Sequence, residues 1–283
     1  MGRSSRLHKV FLSVLVKLVF SYERSLFMAN AASPQDNSNP ARGSLPLFYH
    51  KPLPLDAKLH TKLALKDNFG LQYTAGVNAV PVNLIELPQI CHAYPIAFSP
   101  DENATPVAIL GLRDNENLFV DANGKWVEQA YVPAYIRRYP FIFSEIPGSD
   151  QLSLCVDMNE SVVEEGGKQR FFTEDGKPTE LSQNALEFCK SYHAAAQATL
   201  AFSQALSSSG LLVERAAEIN VPGGQKISFS GFRIIDEKKL SELDDATFLD
   251  WRKKGWLPFI YAHLFSAAQW QRLTYLLNKR MDK

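Results

Sequence analysis

Two short stretches bring side chains able to do chemistry into close spacing. The first holds Arg113, Asp114, Asn117 and Asp121; the second holds Trp126, Tyr131, Tyr135, Arg137, Arg138 and Tyr139. Arg113 offers a fork of donors that matches a carboxylate, a phosphate or a pair of sugar hydroxyls. The same guanidinium also fits Asp114 or Asp121, in which case it pins a turn. Tyr135 and Arg138 stand three residues apart, so a helix begun by Pro133 places them on one side. Aromatic faces beside a guanidinium suit peptide or carbohydrate recognition, and equally suit a strut that holds a helical turn against a sheet edge. Farther along, Arg233 and Asp236 flank a strand end and read as an internal pair or as part of a site. His263 lies among apolar residues of a helix, where it is either a boundary histidine or an acid–base group.

No template for catalysis accompanies these residues. His50, His60, His92, His193 and His263 are isolated, with no His-x-His or His-Glu-x-x-His spacing, so no metal is expected. There is no G-x-S-x-G elbow, P-loop or G-x-G-x-x-G fingerprint, and no cofactor is expected. Asp157 with Glu160, and Glu164 with Glu165, are acid pairs too common to mark a site. Cys91, Cys155 and Cys189 are widely spaced in apolar settings and read as buried free thiols. They favour a reducing, cytoplasmic compartment. The net charge of zero hides a basic start, residues 1–27, followed by a mildly acidic body without a long basic stripe, so nucleic acid is not an expected partner.

The elements that must position these groups follow from the hydrophobic pattern. Strands are expected around a turn at Asp67–Gly70, at Tyr94–Ser99, and as a hairpin of Pro106–Leu112 with Asn117–Asp121. Further strands are expected at Phe141–Ile146, Leu152–Asp157, Leu211–Ile219 and Lys226–Ile235, with turns at 147–150 and 222–224. Ala79–Val82 opens a short helix, Asn83–His92, and Val132–Tyr139 makes one or two helical turns. Thr179 is placed to cap a long helix to about Ser208, with Leu181, Ala185, Phe188, Cys189, Tyr192, Ala196, Leu200, Ser203 and Leu206 on its apolar face. Short helices at Asp236–Leu243 and Asp245–Lys254 precede a terminal helix, Leu257–Leu277. This is an α+β protein: a largely antiparallel sheet of short strands covered by a long helix and C-terminal helices. Residues 45–283 read as a single domain and residues 1–44 as a dispensable or disordered extension. The apolar run Val10–Phe20 is too short to span a bilayer. It reads as a signal peptide, as a membrane-surface helix, or as a stretch ahead of a true start at Met28. A genuine leader would shift the expected location to the periplasm or a membrane periphery.

The chain resembles the SapC-like bacterial proteins, named for an S-layer-associated protein. The resemblance rests on HAYPIAFS (His92–Ser99), PVAILGLRDNENLFVDANGKW (Pro106–Trp126), YVPAYIRRYPFIFSE (Tyr131–Glu145) and LSLCVD (Leu152–Asp157). FFTEDGKPT (Phe171–Thr179), GFRIIDEKKL (Gly231–Leu240) and GWLPFIYAHLFSAAQW (Gly255–Trp270) extend it over about Leu45 to Leu277. It implies a link to surface-layer protein or peptide export, and to uptake of a glycan or peptide, without a catalytic residue set to carry over. The leading expectation is an accessory binding protein for a peptide, glycan or protein partner. The alternative is an enzyme modifying a peptide or sugar, with His263 or Asp121 as acid–base group and Arg113 as anion clamp.

Overall fold

The computed structural model describes residues 45–67, 69–145, 151–220 and 226–281. In chain order the elements are β1 (Pro52–Pro54), β2 (Leu63–Leu65), β3 (Ala79–Pro81), α1 (Leu87–Ile90), β4 (Ile96–Phe98) and β5 (Pro106–Ile109). Then come α2 (Ala134–Arg138), β6 (Phe141–Glu145), β7 (Leu152–Asp157), β8 (Val163–Glu165), β9 (Gln169–Arg170) and α3 (Glu180–Ser208). The chain continues with β10 (Leu212–Asn220), β11 (Lys226–Ile235), α4 (Glu237–Ser241), α5 (Asp245–Lys253), α6 (Leu257–Ser266) and α7 (Gln269–Met281). The protein is α+β, with every strand pairing antiparallel. The expected turns at 147–150 and 222–224 lie outside the described residues, as do residues 1–44.

The chain divides into two compact units. The first takes residues 71–137 and 194–281 and is built on a five-stranded sheet in the order β10-β11-β4-β5-β3. Its centre is β4 and β5, whose residues are all buried. A short apolar run without alternation is what a strand covered on both faces requires. Helix α6 lies against β4 and β11 and turns Ile260, Ala262, His263 and Ser266 inward. The Ser266 hydroxyl accepts the Ile96 N–H at 2.9 Å, which ties helix to sheet.

The second unit takes residues 45–70 and 138–193 and holds two three-stranded sheets, β1-β7-β6 and β8-β2-β9. Its core joins Phe141, Val156, Phe171, Phe172, Ala185 and Cys189. Helix α3 contributes Ser182, Ala185, Cys189 and Tyr192 to the second unit and Ala195, Thr199, Phe202, Ser203 and Leu206 to the first. Apart from the adjacent Phe202 and Ser203, these positions step by three and four residues. The expected face slipped after Tyr192, where it took two steps of four, and the Leu200 it included is exposed.

Four other expectations need correction. Asn117–Asp121 is not a strand, and only an isolated bridge, Val120 to Trp126, forms there. The strand stops at Ile109 because the chain folds back at once: the Glu116 carbonyl packs where a side chain on Gly111 would stand. Ala79–Pro81 is a strand paired with β5, and a 3-10 turn, Leu84–Glu86, precedes the four-residue α1. The terminal helix is two helices. At Ala267 and Ala268 the backbone bonds shorten to the i−3 pattern, and the Ser266 hydroxyl donates to the His263 carbonyl, competing with the helix ladder. Finally, the Thr179 hydroxyl donates to the Arg170 and Phe171 carbonyls instead of accepting a helix N–H.

Candidate functional site

In the first unit the polar groups converge on a buried carboxylate, Glu86. The 3-10 turn after Asn83 makes this possible. Glu86 reaches back from the third position of that turn, and its Oε2 accepts the Asn83 N–H at 2.9 Å. Its other oxygen, Oε1, accepts the Ala134 N–H at 2.6 Å and the Tyr131 hydroxyl at 3.0 Å. Glu86 therefore fixes the entry to α2. Three donors on one buried carboxylate repay the cost of removing its charge from water.

Tyr131 passes the arrangement outward. Its hydroxyl accepts from Arg137 Nη2 at 2.7 Å, while Arg137 Nε donates to the Val132 carbonyl at 3.0 Å. The guanidinium also lies 5.3 Å from the centre of the Tyr131 ring. Burial pushes the Tyr131 phenol above its ordinary range, and the neighbouring Glu86 charge adds to this, so the group stays protonated and donates to the carboxylate. Arg137 is exposed, and the series leads to it from the protein interior.

The other expected site residues have different surroundings. Trp126 is an interior residue: its Nε1 donates to the Tyr94 hydroxyl at 2.8 Å, and Tyr94 in turn donates to the Tyr131 carbonyl at 2.5 Å. Tyr135 is buried. Asn117 is fully buried, with its amide donating to Thr74 and its carbonyl accepting the Phe119 N–H. Asp121 is exposed and accepts the N–H groups of Asn123 and Lys125, closing its own turn. Arg113 is half-buried, donating to the Met281 sulfur at 3.1 Å, and Asp114 is exposed beside it. Arg280 of α7 forks onto the Asn117 and Val120 carbonyls at 2.8 and 2.9 Å, a clamp that no sequence signal revealed.

Arg233 and Asp236 do not pair with each other. Arg233 donates to the Ser99 and Asp101 carbonyls, holding the β4–β5 turn, and burial lowers its affinity for the proton. Asp236 caps α4 through the Lys238 and Lys239 N–H groups. His263 is buried; its Nε2 accepts the Ile235 N–H at 3.1 Å, which leaves its proton on Nδ1. Burial pushes its pKa down to about 4, with the Ile96 backbone opposing weakly.

Arg138 belongs to the second unit, where its guanidinium lies 4.2 Å from the Tyr192 ring centre and 6.0 Å from that of Tyr49. Burial pushes the Cys189 thiol up to about 11, and the Arg138 charge opposes that rise. The same unit holds Asp157, fully buried at the end of β7. One of its oxygens accepts the His50 and Lys51 N–H groups at 2.9 and 2.5 Å. The other accepts the Tyr139 hydroxyl at 2.8 Å and lies 3.3 Å from His50 Nδ1. The His50 side chain is 68% exposed, and its Nδ1 is also 3.1 Å from Asn159 Nδ2.

The sequence held a signal for Glu86 in the Asn83-x-x-Glu86 spacing of a capping box. For Asp157 it offered only an acid at the end of a strand. Among the described residues no group of three His, Cys, Asp or Glu is placed to hold a metal ion, and no helix is long and apolar enough to cross a membrane. Comparison with curated proteins and with solved structures found no match. A family model does match, over residues 55–273, which takes in all the strands from β2 to β11, all the helices through α6, and Glu86, Tyr131, Arg137, Asp157 and His263. On that match, covering most of its length, the chain belongs to the SapC family.

Proposed function

We propose that the protein is an accessory binding protein for a peptide, glycan or protein partner connected with export or uptake at the bacterial cell surface, and that an anionic group of the ligand meets Arg137. One observation carries this reading: Glu86, Tyr131 and Arg137 form a hydrogen-bonded series that orients a guanidinium at the surface before a ligand arrives. A donor fixed in advance loses less freedom on binding, and a planar guanidinium matches a carboxylate in two bonds. The connection with the cell surface comes from the family resemblance. Peptide and glycan arrays probed with the full chain and with Arg137→Ala test it. A ligand bound about tenfold more weakly by the variant is the expected result. Equal binding of the same ligands by both proteins sinks the assignment of Arg137.

A second reading, an enzyme acting on a peptide or sugar, finds its specific support at His50 rather than at His263 or Asp121. A buried carboxylate beside Nδ1 of an exposed imidazole is the arrangement that steadies a general base. The check is mass spectrometry of array ligands after incubation. Product from wild type and none from His50→Gln favours this reading, and unaltered ligand with both removes it.

A further inference from the structure

Residues 251–281 contain Arg252, Lys253, Lys254, Arg272, Lys279 and Arg280 and no aspartate or glutamate, within a chain whose charges balance overall. Three of these cations are committed internally. Lys254 pairs with Asp250 at 2.7 Å, Arg272 lies over the Phe119 ring, and Arg280 holds two loop carbonyls. Arg252, Lys253 and Lys279 are exposed, and no ion pair joins them to a carboxylate among the described residues. The same helices expose large rings. Tyr261 and Phe265 of α6 stack at 6.4 Å one turn apart and are 41% and 69% exposed; Tyr275 of α7 is 63% exposed. Each helix also buries a separate apolar set, Ile260 with Ala262 on α6 and Leu273 with Leu277 on α7. The exposed rings are therefore additional to those that fold the unit.

We propose that these exposed rings and cations of α6, α7 and the end of α5 dock on an anionic membrane surface. Tyrosine and phenylalanine side chains carried on a helix settle at the boundary of headgroups and acyl chains, and nearby lysines and arginines are drawn to anionic lipid. A helix presents a convex surface, which a bilayer interface accepts and a short peptide, needing a groove or a free strand edge, does not. No acid within residues 251–281 opposes an anionic surface, and Asp250 of α5 is paired with Lys254 at 2.7 Å. This docking does not depend on Arg137 or on the ligand proposed for it.

The test is cosedimentation of the full chain with vesicles of phosphatidylcholine alone and of phosphatidylcholine with a third phosphatidylglycerol. Wild type, Phe265→Ser/Tyr275→Ser and Lys253→Glu/Lys279→Glu are compared at low and high salt, after circular dichroism and a thermal melt establish that each is folded. All four positions are exposed, so the variants are expected to fold. Wild type should bind the anionic vesicles and be released by salt, with each double variant weaker by about tenfold or more. Arg137→Ala should bind vesicles as wild type does. The proposal is overturned if wild type ignores anionic vesicles, or if both double variants bind as tightly as wild type, which would place the contact elsewhere, including residues 1–27. Preference for an acidic tyrosine-containing peptide over vesicles, or self-association in sedimentation velocity that Phe265→Ser abolishes, would assign these residues to a protein partner or a second copy and likewise overturn it.

Discussion

Glu86, Asp157 and His263 are ionisable groups removed from water, and each survives there by holding backbone N–H groups. Glu86 accepts two N–H groups and one hydroxyl. Glu86→Gln turns one acceptor into a donor facing a donor, and should cost about 2–4 kcal/mol in urea unfolding. His263 makes a prediction about pH. Its pKa when folded is pushed down to about 4, below the unfolded value near 6.5, so the unfolded chain binds the extra proton. The stability linked to this histidine is complete above about pH 6.5 and falls as pH drops toward about 4, a loss of about 3 kcal/mol. Unfolding free energies measured across that window should slope for wild type, and the slope should shrink in His263→Gln, whose amide oxygen accepts without titrating. An unchanged slope would mean that other groups set the acid sensitivity.

At the level of elements, residues 110–126 are shaped by backbone packing more than by pairing of strands. Leu110 and Gly111 donate to the Asn78 carbonyl, Asn117 donates to that of Ala75, and Arg280 holds the far side. Gly111 is the tightest point, since an added Cβ would collide with the Glu116 carbonyl, a backbone atom that cannot swing away. Gly111→Ala should therefore cost about 1–3 kcal/mol in the unfolding midpoint, against near neutrality for Gly76→Ala, where nothing stands within 4 Å of the added carbon. Similar losses for both would show that the loop relaxes freely. Thr179 and the Ala267–Ala268 break illustrate a related limit. A hydroxyl or a pair of alanines is compatible with a cap or a continuous helix, and the neighbouring carbonyls decide which bond is made.

For the whole molecule, the exposed groups carry the functional readings, and the buried ones explain the architecture. If Arg137 serves recognition alone, Arg137→Ala should change stability by less than about 1 kcal/mol, since its bonds lie at an exposed site, while ligand binding falls. Loss of stability in parallel with binding would make it a structural strut. The sequence by itself determined the fold class, the long helix and the positions of most strands, because periodicity and turn residues are local signals that burial then enforces. It also carried the family, and its aromatic and basic residues singled out the stretch around Tyr131. Tertiary structure alone decided which side chain in that region reaches solvent. Of adjacent Arg137 and Arg138, one is held outward by Tyr131 and Val132 and the other lies against Tyr192, a distinction set by partners distant in the chain. The same holds for Glu86 and Asp157. Their importance comes from the donors gathered around them, and for Asp157 two of those donors, the N–H groups of His50 and Lys51, stand more than a hundred residues away.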